Sequence, residues 1–454
     1  MQILTKLKLQ LKLAFGRFKN ERFRLNLLQA IPFWVASILT GLVAVLFSRF
    51  FNLAEKFTAY IFQYNAKLLF IISPVCFVSS WWIVTKFAPN AKGSGIPQTM
   101  AAIELANPKD NLKVNKLLSI RILVTKIFSS LILAAGGGAI GREGPTIQIA
   151  GSIFRKVNQL LPEWWPKISK RNMIMTGAAA GLAAAFNTPL GGIVFAVEEL
   201  TKTHISYFKT ALFSAVLIAG LTAQALLGPY LYLGYPDVSH LSAWIFIDVL
   251  IIALVTGLLG SLMSKIILAV FRWKSTFRNK NQYFFYAIFS AFVIVSLAYF
   301  VNENILNSGK AIMTAVLFTG NKVLPWYTPI LRISGSVISF TVGGAGGIFA
   351  PALSAGACLG SVMSGWLHLL PSDTNLIILC GMVGFLTGVT RTPFTSAILV
   401  LEMTDRHNVI FHLMLAGMIA SIIAIVIDKH SLYDHLKFQY LHDVKSSPEN
   451  EPAD

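Results

Sequence analysis

Gly177–Leu200 reads GAAAGLAAAFNTPLGGIVFAVEEL, and Gly381–Thr404 reads GMVGFLTGVTRTPFTSAILVLEMT. At an offset of 204 positions the two share Gly177/Gly381, Leu182/Leu386, Thr188/Thr392, Pro189/Pro393 and Glu198/Glu402. Upstream, Gly141-Arg142-Glu143-Gly144-Pro145 is matched by Gly347-Ile348-Phe349-Ala350-Pro351 at an offset of 206, which pairs Gly141 with Gly347 and Pro145 with Pro351. Two matches in one order, at nearly one spacing, predict an internal duplication; chance likeness between Gly- and Ala-rich helices is the competing explanation. Duplicated halves whose apolar segments are broken by Gly and Pro point to a transporter with its site near mid-membrane. If the repeats are inverted, each half crosses an odd number of times, the whole crosses an even number, and both termini face one side.

Composition agrees with a membrane protein. The 454 residues are 55% hydrophobic and 13% charged, where a soluble domain carries about 25% charged residues. With a mean hydropathy of +0.65, this excludes an ordinary cytosolic enzyme, a disordered chain and a soluble bundle on one or two anchors. Apolar segments fall near 27–51, 67–88, 117–140, 173–200, 207–230, 244–271, 283–301, 328–342, 347–370, 375–401 and 408–428. The expected fold is an all-α polytopic membrane protein of two inverted repeats, at 27–228 and 229–440. An N-terminal helix is expected at 1–26, and a flexible tail at 441–454 with no second soluble domain after it. The formal charge of +18 would suggest nucleic acid in a soluble protein. Here the basic residues flank apolar runs and read as orienting charges against an anionic cytoplasmic leaflet. Residues 1–24 carry seven of them, and the hinge with Arg272, Lys274, Arg278 and Lys280 should likewise be cytoplasmic. Cys76, Cys358 and Cys380 lie in apolar runs and read as small buried hydrophobes.

Three Gly/Pro pentads carry the candidate chemistry: Gly93-Ser94-Gly95-Ile96-Pro97, Gly141-Arg142-Glu143-Gly144-Pro145 and Gly347-Ile348-Phe349-Ala350-Pro351. Gly permits a bend and Pro suits the first turn of a helix, so each should open one. A helix start inside a membrane presents unpaired N–H groups and the positive dipole end, which favours an anion. Stripping a small anion of water costs several kcal/mol even after relaxation, whereas one helix terminus returns about 0.3–1 kcal/mol, and ~2 when buried. Several termini must therefore converge. Plain kinks or re-entrant turns are the alternative reading of each pentad.

Ser94 and Tyr433 could offer neutral hydroxyls, though such groups more often bond the local backbone. Glu143 stands at a helix start at membrane depth, where an ionisable residue is a functional candidate. Its carboxylate would compete for the same amides, and protonation would release it; a local ion pair with Arg142 is the alternative. Glu198 and Glu199 point about 100° apart on a helix and cannot share one role. Glu402, at the place matching Glu198, suggests that Glu198 is structural. Glu199 matches Met403 and is left for a special task such as receiving a proton, against the blander reading of a membrane-edge acid facing water. Lys126, inside an apolar run, either adds positive potential to an anion path or pairs with an acid.

With these residues in view, the chain resembles the CLC chloride channels and chloride/proton exchangers. The pentads match that family's selectivity-filter signatures in order, and GAAAGLAAAFNTPLGGIVFAVEEL, ILVLEMTD at 398–405 and Leu432-Tyr433 extend the likeness over about residues 27–440. The resemblance implies two inverted repeats, a homodimer with one pore per subunit and a bacterial inner-membrane location with both termini cytoplasmic. It implies chloride held by the Ser94 and Tyr433 hydroxyls and the amides of Ile348 and Phe349, Glu143 as the external gate, and Glu199 as the internal proton glutamate of the exchanger branch. Ser94 resembles the chloride-selective form of the first signature. Gln98 departs from the Glu of many bacterial members. No cofactor, nucleotide or nucleic-acid partner is implied.

Two transport functions fit: exchange of chloride for protons, and passive, gated chloride conduction on the same fold. Only exchange needs Glu199 to titrate. An enzyme fits poorly, since the chain has no HExxH, GxSxG elbow or P-loop. Gly136–Gly141 satisfies GxGxxG but lies in a membrane run with no βαβ setting. His407/His412 and His430/His435 are five apart and off one helical face, so no metal is expected.

Overall fold

A computed structural model of the chain describes residues 20–200, 209–228 and 231–446. Residues 1–19 of the expected N-terminal helix, 207–208 and 229–230 of one expected apolar segment, and 447–454 of the expected tail lie outside the described residues. Regular structure among those described is helical, with two isolated bridges and no strand. Within a bilayer a spanning segment must satisfy its own backbone groups, and an apolar helix does so. Seven helical runs among the described residues are long and apolar enough to cross a membrane.

The helices form two series of eight and a closing helix. The first series is α1 (Glu21–Asn65), α2 (Leu69–Phe87), α3 (Ile96–Leu105), α4 (Ile120–Ala135), α5 (Glu143–Leu160), α6 (Lys170–Phe186), α7 (Pro189–Phe195) and α8 (Lys209–Leu227). The second is α9 (Ile245–Lys274), α10 (Lys280–Phe300), α11 (Lys310–Phe318), α12 (Thr328–Thr341), α13 (Phe349–Trp366), α14 (Pro371–Thr390), α15 (Pro393–Thr404) and α16 (Ile410–Ile427); α17 (Leu432–Ser446) follows. The packed pairs recur in order. α5 lies on α6 as α13 lies on α14, α1 on α8 as α9 on α16, and α6 on α8 as α14 on α16. Small residues bring these helices close, as is usual in membranes. A Cβ added to Gly181 of α6 would stand 2.6 Å from the Ala150 Cβ of α5, and Gly381 of α14 meets the backbone of Gly356 on α13.

The repeated Thr-Pro dyads break the long apolar runs. The expected segment 173–200 divides at Asn187, whose φ is 59°, and Pro189 opens α7. The expected segment 375–401 divides at Arg391, whose φ is 64°, and Pro393 opens α15. Thr188 (φ −128°, ψ 80°) and Thr392 (φ −119°, ψ 76°) share one conformation, because Pro excludes the residue before it from the helical region.

Other boundaries differ from expectation. α1 does not stop near 51 but continues to Asn65, where its polar turns find partners: the Glu55 carboxylate accepts from the Ser308 amide at 2.7 Å. α11, too short to register as an apolar segment, is an additional helix. α9 runs into the expected hinge as far as Lys274, and α17 continues through 441–446 of the expected tail. Cys358 and Cys380 are buried and Cys76 is half-buried.

Candidate functional site

All three pentads meet. The Gly93 amide donates to the Gly344 carbonyl at 2.8 Å, and the Gly346 amide returns to the Gly93 carbonyl at 3.0 Å. Gly141 and Gly347 exchange an antiparallel pair of backbone bonds, 2.8 and 2.6 Å. The second and third pentads are thus joined directly through their matching glycines. The approach loops are held from opposite halves: Ser339 of α12 accepts from the Ala139 amide at 2.8 Å, and Ser129 of α4 from the Ala345 amide at 3.0 Å.

As expected, the pentads open α3, α5 and α13, and none of the three starts carries a side-chain cap. Gly95 precedes α3 with φ 104°, a left-handed conformation natural only to glycine. No N-cap side chain therefore takes the first amides of these three helices.

Around those amides the predicted side chains come together. Glu143 is 1% exposed; its carboxylate faces the amides of Glu143 itself and of Ala350, at the start of α13. Arg142 makes no ion pair with it among the described residues; its guanidinium turns to α1, donating to the Ser48 carbonyl at 3.1 Å and to Asn52 Oδ1 at 3.2 Å. Ser94 Oγ lies against Gly144, where an added Cβ would collide with it. The Ser94 and Tyr433 hydroxyls are neighbours. The Tyr433 ring stacks on the Phe349 ring with centroids 6.2 Å apart and planes 10° apart. Ser94 Oγ, Tyr433 Oη and Glu143 Oε2 are all buried and lack hydrogen-bond partners of acceptable geometry. Buried polar atoms are nearly always satisfied, so three orphans in one place mark a cradle for a polar guest. Ile348 and Phe349, both buried, form its α13 side.

Glu198 and Glu402 form a reciprocal brace. The Glu198 carboxylate accepts from the amides of Phe394 (3.1 Å) and Thr395 (2.7 Å) at the start of α15, and from the Thr395 hydroxyl at 2.7 Å. Glu402 accepts from the amides of Leu190 (3.0 Å) and Gly191 (2.6 Å) at the start of α7. Each half caps a helix of the other with its matching acid, as the offset suggested for Glu198. Glu199 stands beside it on a π-helical turn, Ala196–Leu200, and its charge, like that of Glu143, reaches Tyr433.

Lys126 pairs with no acid among the described residues. Its buried amine donates to the carbonyls of Ala91 (2.7 Å) and Gly93 (2.8 Å), which tie the first pentad to α4. Lys274, read from the sequence as an orienting hinge charge, is buried too: its amine bonds the carbonyls of Thr341 and, at 3.2 Å, Val342, just before Gly343. A charge at a helix end is indistinguishable in sequence from one folded inward, so only its position near a pentad approach could have flagged it. Lys92 and Lys274 line a cavity of about 360 Å³ that runs to Ser94 from the same face as Lys280. Gln98 is buried in its wall, donating to the Lys92 carbonyl at 2.6 Å and to the Tyr440 hydroxyl at 3.0 Å. A carboxylate could not make those donations.

A helical membrane fold with a polar cradle between broken helices defines an ion-transport protein. The model of the voltage gated chloride channel family matches residues 75–425, and the chain belongs to that family. It is 27% identical over 446 residues to the H(+)/Cl(-) exchange transporter ClcA of Salmonella typhimurium, covering 92% of this chain and 91% of that one. It is 28% identical over 375 residues to the protein of the same name from Cronobacter sakazakii, covering 81% and 78%. Among solved structures, a slow cyanobacterial Cl-/H+ antiporter superposes with a TM-score of 0.80 at 23% identity, over 91% of this chain and 98% of that one. A CLC-type fluoride/proton antiporter superposes with a TM-score of 0.75 at 21% identity, over 91% and 98%. The fold is therefore the CLC fold, and the chain is an integral membrane protein.

Proposed function

We propose that this chain is a secondary active antiporter that exchanges chloride for protons, with the Glu143 carboxylate competing for the anion's place. The observation that carries the proposal is the meeting of the three orphaned oxygens of Ser94, Glu143 and Tyr433 at the uncapped starts of α3, α5 and α13. The names of the exchange transporters that the chain resembles support the ion pair.

In this reading Ser94 and Tyr433 donate hydroxyls to chloride, and Ile348 and Phe349 donate backbone N–H groups. Several weak, neutral donors suit a transported ion, because binding must allow release. An ionised Glu143 takes the same amides and closes the outer path. Protonated, it loses the charge that held it there, and chloride enters while the proton rides on the side chain. Glu199 hands protons between the cytoplasmic side and this region, with Tyr433 lying within the electrostatic reach of both acids. The pentads act together as the selectivity filter. The same reading divides the chain into repeats at 27–228 and 229–440, puts both termini in the cytoplasm of a bacterial inner membrane, pairs two copies as a homodimer and calls for no cofactor.

The test is reconstitution in liposomes with chloride and pH electrodes on one sample. A chloride gradient is expected to drive protons uphill in the opposite direction. Chloride flux without proton movement would overturn exchange and leave a passive channel, for which Glu199 has no task.

A further inference from the structure

A basic cavity among the described residues has no part in the exchange reading, and the inference drawn from it does not rest on that reading. It holds about 940 Å³ between the end of α2, the start of α4, α5 and the end of α17. Lys116, Arg121, Arg155 and Lys156 line it, against one acid, Asp443. Arg155 is 9% exposed and donates to the Leu118 carbonyl at 2.6 Å, leaving its remaining N–H groups for the cavity it lines. Arg121, Arg155 and Lys156 have no ion-pair partner among the described residues. A nearly buried guanidinium without an acid is held at an electrostatic disadvantage that an anionic guest would relieve.

The wall identifies the guest's other end. Phe87 and Ile120 line the cavity while remaining 44% and 46% exposed. From Ile120 an exposed apolar stripe continues along α4 through Val124 and Phe128, at 44% and 57%. Spacing by four keeps these on one helical face. A phosphate in the cavity would thus sit at the head of an apolar track running toward mid-membrane. The cavity shares Pro89 with the Lys92–Lys274 cavity and so lies beside the positive hinge, which charge bias makes cytoplasmic.

We propose that this cavity is a binding site for an anionic phospholipid of the inner leaflet, with its phosphate held by Arg121, Arg155 and Lys156 and an acyl chain along Ile120, Val124 and Phe128. Asn90 joins the site to the transport path: it lines the cavity, and its carbonyl accepts from the Gln98 amide at 3.2 Å.

The experiment is native mass spectrometry of the full chain released from nanodiscs containing equal phosphatidylglycerol and phosphatidylcholine. Wild type is expected to retain phosphatidylglycerol preferentially, and the R121Q/K156Q double variant to retain it roughly 30-fold less well, two surface-proximal charges being lost. K109Q, an exposed charge outside the cavity, should leave retention unchanged. R155Q is the stronger variant but also unties Leu118, so the exposed pair decides. Equal retention of both lipids, or undiminished retention in the double variant, overturns the proposal. Displacement of the lipid by millimolar inorganic phosphate would make it a site for soluble anions and overturn it as well.

Discussion

The first half of the chain carries an acid at the start of α5 and another on the turn after α7; the second half has Phe349 and Met403 at the matching places. Elsewhere the halves correspond closely. Both break at Thr-Pro, both lend a serine to the other's approach loop, and both send one glutamate across to cap a helix of the other. What recurs is what a broken helix in a membrane needs: a turn, a close approach and a partner for each stranded amide. What differs is charge. A second carboxylate at Phe349 would crowd two like charges into one buried cradle, whereas an aromatic ring packs on Tyr433 and leaves its backbone amide for a guest. In the proposed function, the repeated elements supply the cradle and the asymmetry supplies the proton chemistry.

The largest effect should come from removing that asymmetry. Glu143→Gln, a permanently neutral gate, is expected to abolish proton movement in liposomes and to remove the rise of chloride flux on acidification, while Phe349→Leu keeps coupling. Coupling retained in the first variant would remove Glu143 from its role. Glu199→Gln should also abolish proton movement but preserve chloride flux; Met403→Glu should not restore it, because Met403 is fully buried. The reciprocal braces test the symmetric part. Glu198→Gln and Glu402→Gln should each destabilise the protein by about 1.5–3 kcal/mol, as expected for hydrogen bonds to a charged group, with ion coupling unchanged. Thermal melts in detergent measure this, and clearly unequal losses would break the correspondence. The smallest effect is expected of Ser94→Ala: one neutral donor of several, worth about 1 kcal/mol or roughly fivefold in chloride affinity by calorimetry.

Much of the cradle was legible because it is made of local signals. Gly and Pro at fixed places announce helix starts, and an acid inside an apolar run stands out against composition. Partners were not legible. Arg142 neighbours Glu143 in sequence yet bonds α1, and Lys126 and Lys274 serve carbonyls rather than acids or solvent. A charged side chain several bonds long can satisfy itself in any direction, and spacing along the chain does not reveal which. α11 was missed because nine residues of apolar helix are too few to register as a span.

By itself the sequence determined that this is a polytopic helical membrane protein, duplicated, with three helix starts stranded in apolar surroundings, since those properties follow from hydropathy, turn chemistry and repetition. Tertiary structure alone decided that the three starts face one point, that Ser94, Glu143 and Tyr433 leave orphaned oxygens there, and that the halves brace each other through Glu198 and Glu402. Convergence depends on packing between segments some 200 residues apart in the chain, and no local pattern encodes the distance between two helices.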